Sequence, residues 1–202
     1  MINFTKTKRS FFAPLFIIIS FSLSLNASLI IKNDGILPQK TVDKIEQMGS
    51  ELKEKTGVNV YLAAVKNSNN KKIGDYEKEH SKALQKPFVL LTILLDSKKL
   101  DIVNSKELNN KFDKDQILSP MPWSGSILPL LTSHSKNPKA AVEAALLNGY
   151  ADIVEQIADS YDVELKSSIG SQNKMVYDII KFIFYGTVLL IFINFFYRKF
   201  KK

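Results

Sequence analysis

Apolar and polar positions along this chain change period several times, and each change marks an element. Val42, Ile45, Met48 and Leu52 recur at helical spacing and Gly57 follows as a stop, which predicts a helix over 38–56. Asn59–Val65 is a short run with β-branched and aromatic members and predicts a strand. A polar loop rich in Asn and Lys, 66–72, leads to a second helix expected over 74–85. Residues 88–95 read Phe-Val-Leu-Leu-Thr-Ile-Leu-Leu between Pro87 and Asp96-Ser97. An apolar run of that length, so bounded, predicts a strand covered on both faces. Leu100, Ile102 and Val103 then predict a strand returning antiparallel after the 96–99 turn. Strand, helix, strand implies a parallel pair with a right-handed crossover. The expected fold class is α/β, a small mixed β-sheet flanked by helices in three layers.

The stretch 119–138 breaks the pattern with Pro120, Pro122, Pro129 and Pro138 around Trp123 and Gly125. A connection this long inside a domain is expected to be a functional loop or a wrap across the fold. Asn137-Pro138 has the form of a helix start, a capping side chain followed by proline in the first turn. A long helix is expected over 140–165, with Gly149 as a point of interruption.

Two segments at the ends are of another kind. Lys6, Lys8 and Arg9 precede an apolar stretch over 11–25, and Asn26-Ala27 offers a small-residue exit, the form of a signal peptide cleaved after Ala27. An uncleaved signal anchor would give the same orientation. Near the other end, 182–197 carries no charge, and a helix begun near Asp178 would reach the roughly 20 residues a bilayer core needs. Tyr177 and Tyr197 stand where an aromatic belt would lie, and four cations from Arg198 to Lys202 flank the exit. The expected organisation is a signal peptide over 1–27, an exported domain over 28–165 and a polar tether over 166–175. A single transmembrane helix over 176–197 and a cytoplasmic basic tail over 198–202 complete it.

Charge changes the picture in one respect. The formal net charge is +8, but three cations precede the first apolar segment and four follow the last. The middle carries 21 cations against all 20 acids and is close to neutral. Bulk basicity therefore describes membrane flanks, and a nucleic-acid partner is not implied. Cations flanking apolar segments stay on the cytoplasmic side, so the middle is expected on the exported, periplasmic or extracellular side. The absence of cysteine excludes disulfides, thiol chemistry and cysteine-ligated metals. Two histidines exclude a histidine-rich metal site. No phosphate-cradling glycine loop, zinc-protease helix or nucleophile elbow occurs.

Asp34, Asp96, Asp101, Asp113 and Asp115 lie near expected strand ends and loops. Hard cations such as calcium or magnesium take clustered carboxylate oxygens, and Asp34 with Asp96 is the metal-ligand pair to expect. Asp113-Lys114-Asp115 lacks the glycine and terminal glutamate of a calcium loop. His80 reads as a surface residue of a charged helix, and His134 lies among hydroxyls in the proline-rich loop. Trp123 is the candidate partner-binding residue.

Four stretches together resemble the TPM domain family, exported or lumenal α/β domains often followed by a membrane helix. Asn33-Asp34-Gly35-Ile36-Leu37 resembles the family's opening segment, and Lys55 to Val65 its Thr-Gly strand. Phe88 to Lys99 resembles the strand ending in acidic and basic residues, and Ala140 to Leu147 the closing helix. The resemblance implies a metal-binding or phosphatase site in which Asp34 and Asp96 match the family's acidic positions. Lys98 stands where an arginine is usual, and 83–87 and 104–107 replace the family's glycine-containing loops. The expectation is therefore a membrane-anchored, non-enzymatic interaction or maintenance factor for a membrane complex, with a divalent-metal-dependent phosphatase acting on exported substrates as the alternative.

Overall fold

The computed structural model describes residues 28–133, 135–170, 183–189 and 192. The predicted signal peptide, His134 and most of the predicted transmembrane span lie outside the described residues. Residues 183–189 are helical, with Ile183, Phe184, Tyr185 and Leu189 exposed. Among the described residues, no helix is long and apolar enough to cross a membrane.

Four strands form one mixed sheet in the order β1 (Ile30–Asn33), β2 (Asn59–Val65), β3 (Phe88–Leu94) and β4 (Lys99–Asn104). The first three are parallel and β4 is antiparallel to β3; the β2–β3 parallel pair and the antiparallel return of β4 are the ones the chain pattern predicts. β2 and β3 pair without slip from Asn59 opposite Phe88 to Val65 opposite Leu94, and every residue of both is buried. Burial on both faces is why neither strand alternates in polarity.

The two faces have separate cores. Val60, Leu62, Ala64, Val89, Leu91 and Ile93 meet Ile45, Met48 and Leu52 of α1 (Gln39–Thr56) and Leu146, Ile153 and Ile157 of α5 (Pro138–Ser160). Tyr61, Ala63, Val65, Phe88, Leu90 and Leu94 meet Tyr76 of α2 (Ile73–Ser81). The layers are α1 and α5, the sheet, then α2. Because β1, β2 and β3 step across the sheet in one direction, crossovers of equal hand would put α1 and α2 on the same face. They lie on opposite faces, so the right-handed expectation fails at one of the two crossovers.

Other departures have local causes. β1 was not expected; it is a four-residue edge strand that is half-buried, so it carries little apolar signal. The second helix begins at Ile73 and stops at Ser81, where tighter turns from Ala83 to His80 and from Leu84 to Ser81 take over. The long helix stops at Ser160 because Asp162 adopts a left-handed φ of 56° and Val163 N–H bonds back to Ala158. The 119–138 stretch, expected as a functional loop or a wrap, holds the short helix α4 (Leu128–Thr132) and buries Ile127. Asn137 does cap α5, its Oδ1 accepting from Ala140 N–H at 3.2 Å.

Gly149 does not interrupt α5. A Cβ there would lie 2.3 Å from the Ile127 side chain, so the missing side chain is what lets Ile127 bury completely. Gly49 serves a similar purpose on α1, where a Cβ would meet the Tyr150 hydroxyl at 2.1 Å and Leu29 at 2.4 Å. That opening lets the fully buried Tyr150 donate to the Val60 carbonyl at 2.8 Å. Gly49→Ala gains up to about 1 kcal/mol of helix propensity. Overpacking of about 1–3 kcal/mol opposes it. A net loss of about 1–2 kcal/mol in urea unfolding is expected, and an unchanged midpoint would refute this role of Gly49.

Candidate functional site

The carboxyl ends of β1, β2 and β3 share one edge of the sheet, and the residues that follow them converge. Backbone bonds run from Asp34 N–H to Ala64 O and from Leu95 N–H to Val65 O, which carries the parallel pairing one step past the strands. Asp34 follows β1 directly, and Asp96 lies two residues beyond β3. Both turn to the loop that leaves β2. Asp34 Oδ2 accepts the Lys66 N–H at 2.9 Å, and Lys32 Nζ stands 3.1 Å from its Oδ1. Asp96 Oδ2 accepts from both the N–H and the hydroxyl of Ser68, at 2.7 and 2.8 Å, and Oδ1 accepts Ser97 N–H at 2.8 Å. The two predicted ligands are thus brought to the same three residues of backbone.

These contacts hold both carboxyls below the ordinary range. The Lys66 amide and then Lys32 lower Asp34; the Ser68 amide and hydroxyl lower Asp96. Both remain ionised at neutral pH.

The 66–72 loop is solvated, with only Ser68 buried, and is a built turn. Asn69 and Asn70 both adopt left-handed φ, 53° and 63°, a region asparagine tolerates better than most side chains. Asn67 Oδ1 closes the turn by accepting Asn69 N–H at 2.9 Å. The asparagine-rich spelling was the available signal. Beside it lies a cavity of about 560 Å³ lined by Ser68, Asn70, Lys71, Lys72, Asp96 and Lys99 among others. Lys71 is paired with Glu79 at 2.7 Å, which leaves Lys72 and Lys99 against the Asp96 carboxylate, a balance that suits an acidic segment or other anion better than a bare cation. Calcium or magnesium held between Asp34 and Asp96 would have to share oxygens that already accept hydrogen bonds. Among the described residues, no group of three or more His, Asp or Glu side chains is placed to hold a metal ion.

The remaining candidates disperse. Asp101 pairs with Lys114 at 2.7 Å, and Asp113 caps α3 (Lys114–Ile117) by accepting Gln116 N–H at 2.9 Å. His80 is partly exposed, with its ring stacked on Tyr76 and Nδ1 2.9 Å from the Tyr76 carbonyl. A second cavity, about 700 Å³, opens at the other end of the sheet among Asn104, Asn109, Asn110, Asp113 and Gln156. Trp123 is 84 % exposed at the tip of its loop.

Glu77, in the charged stretch of α2, was not singled out by its sequence. It is 2 % exposed and faces the sheet, and neither carboxylate oxygen has a hydrogen-bond partner. Burial, then the Asp101 charge, push its carboxyl up to about 7, against the weaker pulls of Thr92 and Lys114.

Neither a protein-family model nor a curated protein matches the chain. Among solved structures it is similar to the N-terminal domain of a protein from P. gingivalis, with a TM-score of 0.52 at 10 % identity over 68 % of this chain and 87 % of that one. It also aligns with the BA42 protein from the psychrophilic bacterium Bizionia argentinensis, with a TM-score of 0.43 at 14 % identity over 68 % of this chain and 97 % of that one. At such identities the likeness to the P. gingivalis domain concerns the fold alone.

Proposed function

We propose that the chain is a divergent TPM-like domain, displayed on the exported side of a membrane by its C-terminal apolar segment. There it serves as a non-enzymatic interaction or maintenance factor for a membrane complex. The observation that carries the binding reading is the use made of the strand-end carboxylates. Asp34 and Asp96 both spend their oxygens fixing the backbone of one lysine- and asparagine-rich loop. That loop and its cavity then form a preformed polar face for an acidic partner segment. A tether confines the face near the bilayer and raises its effective concentration toward membrane-bound partners.

The convergence of the same two aspartates favours a second reading, a phosphatase using calcium or magnesium to polarise a phosphate ester. Phosphatase assays on the chain, with and without each ion, separate the two. Asp96→Ala is expected to leave turnover at background and to speed tryptic cleavage at Lys66, Lys71 and Lys72 several-fold, because the loop loses its clamp. Metal-dependent turnover abolished by Asp34→Ala or Asp96→Ala would establish the phosphatase instead. An ion-dependent rise in melting temperature without turnover would identify an ion-loaded binding module.

A further inference from the structure

The exposed tryptophan is mounted, not merely left out. Met121 O accepts from Ser124 N–H at 3.0 Å and from Gly125 N–H at 2.8 Å, closing a tight knuckle between Pro120 and Pro122 on one side and Gly125 on the other. A Cβ on Gly125 would fall 1.7 Å from the Ser119 carbonyl oxygen, so the two limbs of the knuckle touch. Gln116 Nε2 donates to Ser124 O, and the Ser126 hydroxyl donates to Asp152 of α5. On this rigid base Trp123 is 84 % exposed and Met121 is 47 % exposed.

Two further observations point to what meets them. Along the sequence no acidic residue occurs between Asp115 and Glu143, and Lys136 and Lys139 in that interval are both exposed, while Asp152 and Glu155 of α5 lie at the knuckle's base. The knuckle's base also grips the turn of α5 from which the chain departs. Gln156 and Asp152 hold Gln116 and Ser126, and Glu155 on the same turn holds the Ser168 hydroxyl and the Gly170 N–H. Four residues of helix span about 6 Å, so both attachments lie at one level of α5. From Gly170 to the predicted start of the membrane span at Val176, even a fully extended chain reaches only about 20 Å.

We propose that Trp123 and Met121 insert into the headgroup region of the bilayer that carries the chain's own C-terminal segment, with Lys136 and Lys139 favouring anionic lipid. This rests on the anchored reading above. An indole belongs at that depth, apolar body inward and N–H toward water. Lysines near the surface add attraction of about 1 kcal/mol each on anionic lipid. The contact would orient the domain on its short tether and hold its strand-end face in a fixed relation to neighbouring membrane proteins.

The chain holds a single tryptophan, so its fluorescence reports on this site alone. The full chain is reconstituted into phosphatidylcholine vesicles with and without phosphatidylglycerol, and vesicle flotation is followed in the same samples. Expected are flotation, a blue-shifted emission, quenching by lipids brominated on their acyl chains and a severalfold loss of iodide quenching. The loss should be larger with phosphatidylglycerol and should shrink in a Lys136→Gln, Lys139→Gln chain. If the chain floats while Trp123 stays fully open to iodide and untouched by brominated lipid, docking is overturned and the anchor stands. If the chain does not float, the anchored reading fails and takes the docking with it. Protection that appears only when membrane proteins are added to the vesicles overturns lipid docking in favour of a protein partner.

Discussion

Glu77→Gln is expected to stabilise the domain by about 2–3 kcal/mol at pH 8 and to change little at pH 4.5. In the folded protein Glu77 is buried between α2 and the sheet without a hydrogen bond, and its carboxyl is held up to about 7. Its ordinary value is 4.5. Between those two values the folded chain keeps a proton that the unfolded chain has released. The stabilisation is thus complete below about pH 4.5 and is lost as pH rises through 7. Burial and Asp101 set this direction against the weaker opposing pulls of Thr92 and Lys114. Asp101 on β4 repels the charged form, and Lys114 on α3 offsets that in part while itself paired with Asp101. The unpartnered Thr92 hydroxyl on β3 gives a protonated carboxyl a neutral neighbour. Glutamine keeps the shape, carries no charge and retains a donor for that hydroxyl. Urea unfolding at a series of pH values from 4.5 to 8 reads the difference. A wild-type stability that stays level across that range, or a Gln variant with the same slope, would show that Glu77 is not protonated in the fold.

Why this residue escaped the sequence, while the strands beside it did not, is a matter of which signals are local. β2 and β3 are buried on both faces, so their composition alone marks them, and their ends fall within a residue of expectation. β1 is an edge strand whose Lys32 and Asn33 face outward or turn away, and its identity depends on β2. Glu77 lies one residue after Tyr76 and four after Ile73, on the same helical stripe, so the spacing did place it inward. Its charge, within the run Glu77-Lys78-Glu79, points the other way, and only the fold decides between the two signals. Asp34 and Asp96 were paired by the resemblance and by their places near expected strand ends and loops, but what they grip was not legible. That depends on the left-handed turn at Asn69 and Asn70, which only the folded loop shows.

Glu51→Gln is expected to cost about 2 kcal/mol at neutral pH, with the difference disappearing near pH 2. Glu51, near the end of α1, accepts the backbone N–H groups of Lys166 and Ser167 at 2.8 Å each and the Ser167 hydroxyl at 2.5 Å. Lys55 Nζ lies 2.8 Å from the same carboxylate and also donates to the Glu164 carbonyl at 2.6 Å. Burial opposes ionisation, yet Lys55, Ser167 and the two amides together bring the carboxyl from 4.5 down to about 2. The sign is opposite to that of Glu77. Here the folded form is the more easily ionised, so the stabilisation is present above about pH 4.5 and is lost as pH falls toward 2. The side chain retains 16 % exposure, and solvent screening is why the figure stays below the full shift. A Gln amide has a single acceptor oxygen for two backbone donors and attracts no ammonium, so 166–168 should loosen even where global stability survives. Amide exchange at Lys166 and Ser167 should rise by an order of magnitude or more, a loss of about 1.4 kcal/mol or above in local opening. Protection retained in the variant would mean this segment is fixed elsewhere. Release at Glu51 would leave Glu155, which accepts the Gly170 N–H at 2.6 Å, as a grip on the segment beyond 168.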